Sequence, residues 1–284
     1  MIKNVLFLLF LSLSSCVLAN SPTYKVIHQD DHEFHTLDID PAQFKMVLVK
    51  ASDSKKRQTV SDIVNDHKAI AGINGGFFHI GDKVDGKPAG VLKIKEKWLG
   101  TPKRIHGSMG WKEDESRILM DRLTVRKPPQ SPVIAAFPQI DQTVKADWNA
   151  ADYIVGGIPL LIKNGSPLKY YTYEKMSVSF FDKRHARTAV CVKKDQHWLW
   201  VVASHVKDAD RSHTHLKTTG LTLDELTHFL QQQGCVDALN LDGGGSTTLV
   251  FEGKTVNKPA GDREEITNLY FERPVSDAIL LFNR

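Results

Sequence analysis

The sequence of 284 residues has little that would place it among disulfide-stapled, nucleic-acid-binding or membrane-spanning proteins. It contains only three cysteines, and a chain of this length buries a substantial core without such staples. The formal net charge of +4 is spread along the chain, whereas nucleic-acid-binding proteins usually show a concentrated basic face. No apolar run beyond the first twenty residues is long enough to span a bilayer. Repeats and low-complexity tracts are also absent, so the composition indicates an ordinary globular protein.

The first twenty residues form a separate kind of segment. A lysine precedes the apolar run Val5–Leu11, and small residues follow it, which is the pattern of a secretory signal peptide. Cleavage after Ala19 and a lipobox at Leu13–Cys16, with lipidation of Cys16, both remain open. We therefore expect residues 1–19 to be a cleaved signal peptide and residues 20–284 to be one domain. The protein is expected to be exported, periplasmic or secreted, with membrane contact only through a lipid anchor at Cys16.

Cys191 and Cys235 lie in apolar, strand-like runs. In an oxidising compartment they could form one disulfide, but their separation in space cannot be derived from the sequence. Their apolar setting favours two buried free thiols. Neither cysteine has a motif that suggests a nucleophile.

Two helices are predicted from periodicity and capping signals. The first covers 59–67, with Ser61 as its N-cap. The second opens at Thr222, where Glu225 three residues later completes a capping box, and Gly234 ends it at the usual C′ position.

Strand-like segments outnumber the helices. We expect two strands between 24 and 49 and one over 153–162, interrupted by two glycines, before an Asn164-Gly165 hairpin turn. Further strands are predicted over 69–73, 187–192, 198–203, 236–241 and 275–282. The alternating Trp198 and Trp200 indicate packing within a sheet rather than a sugar-stacking platform. Together these elements predict an α+β fold with mixed β-sheets, a few helices and a single catalytic domain.

The sharpest motif follows the strand predicted over 236–241. That strand delivers Asp242 to its end, where three glycines, Gly243–Gly245, precede the hydroxyl residues Ser246–Thr248. Consecutive glycines allow close approach to the main chain, and their N–H groups can form a concave anion site. A carboxylate and hydroxyls beside such a site suit a substrate with a phosphate and a sugar. A tight strand connection capped by the aspartate is the alternative. Because neither Gly-Lys-Ser/Thr nor Gly-x-Ser-x-Gly is present, it is neither a nucleotide P-loop nor a nucleophile elbow.

Two weaker motifs carry related chemistry. Asn74-Gly75-Gly76 follows another buried strand, and the Asn74 amide can donate to and accept from sugar hydroxyls. Arg187 begins a third strand, where its guanidinium fits either a bidentate phosphate contact or a structural ion pair.

These segments, in this order and with the closing segment Arg273–Ala278, resemble the phosphodiester glycosidase family. The resemblance implies a mixed α+β fold and hydrolysis between the anomeric carbon of a sugar and a phosphate. The expected catalytic residues are Asp242, Arg187 and His205. The expected substrate-binding residues are Asn74, Gly75, Gly76, Gly243, Gly244, Gly245, Ser246 and Thr247.

The chain also departs from the family's pattern. Ser204-His205 stands where the family commonly has Asp-Gly, which removes a carboxylate and makes His205 a candidate acid or base. Cys191 stands where a glycine is common. Glycosidases often use two carboxylates, and the sequence does not rank the candidates for the second. These candidates are Asp182, Asp208, Asp210, Glu264 and Glu265.

The sequence thus predicts an exported hydrolase that acts on sugar-1-phosphodiesters, with Asp242 as nucleophile or base. Its expected partner is a phosphorylated carbohydrate, from a bacterial envelope or a host glycan. No cofactor, metal or nucleic acid is expected, since the His213/His215 pair lacks further ligands at standard spacing. Two alternatives stay open: a non-catalytic binding module for anionic polysaccharide, and a phosphodiesterase that breaks the P–O bond.

Overall fold

The computed structural model describes residues 21–30, 32–101, 104–123, 147–168, 174, 176–203, 220–263 and 270–284. Its helices are α1 (Val60–His67), α2 (Val178–Asp182) and α3 (Leu223–Gln232). In chain order its strands are β1 (Thr23–Gln29), β2 (His32–Ile39), β3 (Phe44–Lys50), β4 (Ala71–Asn74), β5 (Leu92–Ile94), β6 (Lys97–Gly100), β7 (His106–Trp111), β8 (Ile118–Leu123), β9 (Tyr153–Gly156), β10 (Leu160–Lys163), β11 (Ser166–Pro167), β12 (Arg187–Lys193), β13 (Trp198–Ala203), β14 (Cys235–Asn240), β15 (Leu249–Phe251), β16 (Lys254–Thr255), β17 (Asp262–Arg263), β18 (Tyr270–Phe271) and β19 (Asp277–Asn283).

A seven-stranded sheet in the order β1-β2-β13-β12-β14-β10-β11 forms one side of the molecule. Successive side chains along each strand point to opposite faces of the sheet, and both faces are apolar. Trp198, Trp200 and Val202 point into the main core, whereas Leu199 and Val201 point to the other face, beneath α3. The expectation that Trp198 and Trp200 pack within the fold is confirmed, because 1% and 0% of their surfaces are exposed.

Two five-stranded sheets close the main core from the opposite side, in the orders β16-β15-β4-β19-β3 and β6-β5-β9-β7-β8. Helix α1 covers the outer face of the first of these sheets through Val60, Ile63 and Val64. The predicted α+β fold with few helices is confirmed. All strand pairs in the described ranges are antiparallel, so these sheets are antiparallel and not mixed. Their strand order does not follow the chain order.

The helix predictions hold except for one cap. The N-cap of α1 is Thr59, whose side chain accepts a hydrogen bond from the Asp62 N–H at 3.0 Å, so the prediction of Ser61 is wrong. An N-cap residue has extended backbone angles, and Ser61 already lies inside the helix. The capping box of Thr222 and Glu225 on α3 is confirmed. Gly234 follows that helix with φ +82°, as predicted.

Two strand predictions need correction. The segment 24–49 forms three strands instead of two, because Asp30 takes a positive φ of 53° and turns the chain between β1 and β2. The segment 153–162 is not one interrupted strand, because β9 and β10 belong to different sheets. The chain passes from one sheet to the other at Gly157, close to the main chain of β14. A side chain there would clash, since a Cβ would lie 2.3 Å from the carbonyl oxygen of Asn240. The Asn164-Gly165 hairpin between β10 and β11 is confirmed.

Two of the three cysteines are joined. Cys191 on β12 and Cys235 on β14 form a disulfide, with their Cα atoms 5.8 Å apart. The expectation of two free thiols is therefore wrong. An apolar setting describes burial but not distance, and the pairing of β12 with β14 brings together residues 44 positions apart. Residues 1–19, with Cys16, lie outside the described part of the chain. Among the described helices, none is long and apolar enough to cross a membrane.

Candidate active site

The two predicted glycine turns meet at one end of the sheets. Asn74 ends β4, Asp242 follows β14, and Asp277 begins β19. The Gly75 N–H donates to the Asp277 carbonyl at 3.0 Å, and the Asp242 N–H donates to the Gly75 carbonyl at 3.2 Å. Three segments that are distant in the sequence therefore form one site.

Asn74 is the centre of this site. It is fully buried, and its amide Nδ2 donates to the carbonyl oxygen of Asp242 at 2.8 Å. Its Oδ1 accepts from the hydroxyl of Thr188 at 2.8 Å and from the N–H of Thr248 at 3.1 Å. The side chain thus joins the Asp242 turn to β12 and to the start of β15. Asn74 was predicted to bind sugar hydroxyls, but its amide group is hydrogen-bonded to protein groups. Such a side chain positions other residues of the site.

Asp242 supplies a carboxylate to this site. It is partly exposed, and its Oδ1 accepts from the Gly243 N–H at 2.9 Å. Burial among protein groups, with a smaller contribution from the charge of Asp277, raises the pKa of Asp242 to about 6. The Ser246 hydroxyl faces the carboxylate and lowers the pKa, although the geometry falls short of a regular hydrogen bond. A carboxylate with such a pKa can exchange protons near neutral pH.

Asp277 is a second carboxylate, which the sequence reasoning missed. It is 1% exposed, and its Oδ1 accepts from the Gly76 N–H at 2.8 Å. Burial raises the pKa of Asp277 to about 6, while the hydrogen bond from Gly76 lowers it. Because Asp277 is buried, it affects the site indirectly. It accepts hydrogen bonds from Gly75 and Gly76, and its charge acts on the pKa of Asp242. Its segment belongs to the family resemblance, which was the one available signal.

The predicted anion nest is largely used by the protein itself. The N–H of Gly243 donates to Asp242, and the N–H of Gly244 donates to the Ala186 carbonyl at 2.7 Å. Gly244 has φ +58°, which favours glycine. Gly245 is buried against the guanidinium of Arg273. The glycines therefore shape a turn whose first two N–H groups already have acceptors.

Hydroxyl groups follow this turn into the interior. Ser246, Thr247 and Thr248 are each at most 1% exposed. Within the described residues, the hydroxyls of Thr247 and Thr248 have no hydrogen-bond partner. Buried polar groups are normally paired, so these hydroxyls keep hydrogen-bonding capacity that the described protein groups do not meet.

Arg187, the predicted phosphate ligand, lies at the start of β12 and is 1% exposed. Its Nε donates to the carbonyl of Leu221 at 2.9 Å, and a terminal nitrogen donates to the carbonyls of Phe180 at 2.7 Å and Lys183 at 3.2 Å. Its guanidinium also lies 5.1 Å from the centre of the Phe180 ring. The geometry fastens α2 and the start of α3 to the large sheet.

Arg273 was not predicted as a site residue. It follows β18, is partly exposed, and its positive charge lowers the pKa of Asp242. A Cβ on Gly245 would lie 2.3 Å from its Cζ, so the guanidinium rests on the glycine turn. The cation beside Asp242 is therefore Arg273 and not the predicted Arg187.

Several predicted candidates lie outside the described residues, namely Ser204, His205, Asp208, Asp210, Glu264 and Glu265. Asp182 is the last residue of α2. Within the described ranges, no three histidine, cysteine, aspartate or glutamate side chains gather closely enough to hold a metal ion.

Residues 67–282 match the phosphodiester glycosidase family. The chain belongs to this family. It is 25% identical over 220 residues to the N-acetylglucosamine-1-phosphodiester alpha-N-acetylglucosaminidase of Bos taurus, covering 73% of this chain and 36% of that protein. It is 22% identical over 201 residues to an SPbeta prophage-derived uncharacterized protein of Bacillus subtilis, covering 71% of this chain and 27% of that protein. The chain therefore spans about a third or less of these two relatives.

A solved structure supports the fold. The catalytic domain of the zebrafish N-acetylglucosamine-1-phosphodiester alpha-N-acetylglucosaminidase superposes with a TM-score of 0.65 at 20% identity, covering 96% of this chain and 86% of that one. The family resemblance predicted from the sequence is confirmed. Membership supports a hydrolase of the glycosidase kind.

Proposed function

We propose that the protein hydrolyses sugar-1-phosphodiesters by cleaving the bond between the anomeric carbon and the phosphate oxygen. The observation that carries this proposal is Asp242: a partly exposed carboxylate whose pKa is raised to about 6, at a polar rim with a cation beside it. The family and the bovine relative's name support the same substrate class.

In the proposed reaction Asp242 takes a proton from a water molecule, and the oxygen of that water attacks the anomeric carbon. The carbon–oxygen bond to the phosphate breaks, and the bonding electrons leave with the phosphate oxygen. The sugar gains the hydroxyl group, and the product is a phosphate monoester. Because this leaving oxygen is a weak base, it needs less help from an acid than the oxygen of an ordinary glycoside.

The buried residues around Asp242 are assigned positioning roles. Asn74 fixes the main chain of Asp242, and Asp277 fixes Gly76. Burial keeps the pKa of Asp242 raised, with a smaller contribution from the charge of Asp277, which makes Asp242 a stronger base than an ordinary aspartate.

The first test is release of reducing sugar from a panel of sugar-1-phosphodiesters that includes N-acetylglucosamine. Asp242→Asn should lower turnover by about 100- to 10,000-fold, the usual worth of a general base. Asp237→Asn is the matched control, since Asp237 lies on β14 but binds Lys163 and Asn164 instead. Near-normal turnover in Asp242→Asn, with wild-type activity established, would remove Asp242 from the mechanism.

Two further measurements separate the rival functions. In water labelled with heavy oxygen, label in the sugar indicates a glycosidase, and label in the phosphate indicates a phosphodiesterase that breaks the P–O bond. The anomer formed first distinguishes a base from a nucleophile: inversion fits direct attack by water, whereas retention would make Asp242 the nucleophile. Binding of phosphorylated glycans without any turnover would favour the binding module.

We also propose that the protein is exported, with a signal peptide over 1–19 that is removed by ordinary cleavage or at Cys16. The disulfide of Cys191 and Cys235 supports an oxidising compartment, where such bonds persist. Mass spectrometry of the mature protein tests this directly. An N-terminus at Asn20 indicates plain cleavage, a lipidated Cys16 indicates an anchored protein, and an intact N-terminus contradicts export.

A further inference from the structure

Two other segments border the turn that carries Asp242. On one side the Asp242 N–H donates to the carbonyl of Gly75 at 3.2 Å. On the other side the Gly244 N–H donates to the carbonyl of Ala186 at 2.7 Å. Side chains that join the segment of Gly75 to the segment of Ala186 therefore lie beside the Asp242 turn.

Phe77 and Phe180 join these two segments. Phe77 comes two residues after Gly75, and the centre of its ring lies 5.9 Å from the centre of the Phe180 ring. The carbonyl of Phe180 accepts a hydrogen bond at 2.7 Å from Arg187, the residue after Ala186. The two rings thus form an aromatic pair at the border of the turn.

The start of β12 holds Phe180 in place. The Arg187 guanidinium lies 5.1 Å from the centre of the Phe180 ring, and the His185 ring stacks with Phe180 at 6.5 Å between ring centres. The Nε2 of His185 also lies 3.3 Å from the carbonyl oxygen of Ser179. These contacts fix the position of Phe180, although no residue of α2 is buried.

Phe77 differs from its neighbour Phe78 in where its ring packs. Phe78 packs against the apolar cluster beneath α1. Phe77 belongs to none of the four apolar clusters among the described residues, and its surface is partly exposed. Ligand sites are lined mainly by apolar and aromatic side chains with a few polar groups, and a sugar ring offers C–H groups that pack on an aromatic ring.

We propose that Phe77, supported by Phe180, forms a stacking platform for a sugar ring of the substrate beside Asp242. The assignment rests on the proposed function, because a sugar ring held there has its anomeric carbon near the Asp242 carboxylate. Trp198 and Trp200 do not compete for this role, since they are 1% and 0% exposed. Stacking adds affinity in the ground state and in the transition state alike, so its loss should raise KM and leave kcat unchanged.

The test is steady-state kinetics with the sugar-1-phosphodiester that the wild type hydrolyses fastest. Phe77→Leu should raise KM by about 2- to 10-fold, the scale of one aromatic contact. Phe77→Tyr should keep KM near the wild-type value, because it keeps the ring. Phe78→Leu is the matched control from the same motif: it should lower thermal stability and leave KM unchanged, since Phe78 packs beneath α1.

An unchanged KM in Phe77→Leu would overturn the platform and leave the proposed function standing. Equal rises of KM in Phe77→Leu and Phe78→Leu would also overturn it, because a loosened turn would then explain both. Saturation-transfer NMR with N-acetylglucosamine, glucose and mannose covers a protein that hydrolyses no sugar phosphodiester. Sugar binding that is lost in Phe77→Leu would then keep the platform and refute the proposed function, whereas a wild type that binds none of these sugars would overturn both.

Discussion

The Asp277 carboxylate lies buried beside that of Asp242, and its ionisation at neutral pH therefore opposes folding. The pKa of Asp277 rises from 3.8 to about 6, chiefly because burial removes water from the charge. A shift of this size corresponds to about 3 kcal/mol of unfolding free energy, at about 1.4 kcal/mol per pKa unit. Asn at position 277 removes the charge and keeps an oxygen for the Gly76 N–H, and the pKa of about 6 already includes the stronger hydrogen bond that the charged form accepts from Gly76.

Asp277→Asn should therefore stabilise the protein by up to about 3 kcal/mol at pH 7. The effect depends on pH in a defined direction. Because the pKa is higher in the folded state, the folded wild type holds more protons between about pH 4 and pH 6, and its stability falls as the pH rises through that window. The variant lacks this loss, so its advantage should be small near pH 4 and full above pH 7.

Urea unfolding at pH 4.5, 6 and 7.5 measures this difference, with the fluorescence of the buried tryptophans as the signal. Glu115→Gln is the control, since Glu115 is about half exposed on the surface, and its effect should stay within about 0.5 kcal/mol at each pH. The acidic limb of the turnover profile should move only slightly below that of the wild type in Asp277→Asn, because burial, the main cause of the raised pKa of Asp242, remains and only the smaller contribution of the Asp277 charge is lost. A variant that is less stable at pH 7, or a difference that does not change with pH, would refute the reasoning.

Three other predictions follow from the same geometry. Wild-type kcat should rise with pH through about 6 and level off above 7, because Asp242 acts in its ionised form; a fall over this range would instead make it an acid. Gly75→Ala should destabilise the protein by about 1–3 kcal/mol and lower turnover, since its Cβ would lie 2.1 Å from Asp277 Oδ1. Gly90→Ala is the control in thermal unfolding and should be nearly neutral, because its Cβ would meet no atom closer than 3.6 Å. Replacing both Cys191 and Cys235 by alanine should cost about 2–4 kcal/mol in urea unfolding and leave turnover at 25 °C intact, because the disulfide lies beneath α3 rather than at the site.

Local signals in the sequence predicted the parts of the fold that depend on local physics. The capping box at Thr222 and the turn at Asn164-Gly165 are confirmed, because each depends on residues within a few positions of one another. The pairing of β12 with β14, and with it the disulfide, depends on the tertiary arrangement of the strands. Composition and periodicity carry no information about that distance.

The site was predicted to a similar extent. Asn74, Asp242 and the glycines were named as candidates because each motif stands at the end of a strand, and the structure brings these strand ends together. Asp277 and Arg273 were missed because both enter from the last segment of the chain, through the pairing of β19 with β4 and the packing of Arg273 on Gly245. The sequence also named Arg187 by residue type, but its burial beneath α2 follows only from the fold.

The glycines of the two motifs have a different meaning in the structure than in the sequence. Consecutive glycines predict that a ligand approaches the main chain closely. Here the protein's own functional groups make those approaches: the carboxylate of Asp277 lies against Gly75 and Gly76, and the guanidinium of Arg273 lies against Gly245. The glycines thus admit one negative and one positive side chain on either side of Asp242. A larger residue at these positions would act first on those charges, and only through them on the substrate.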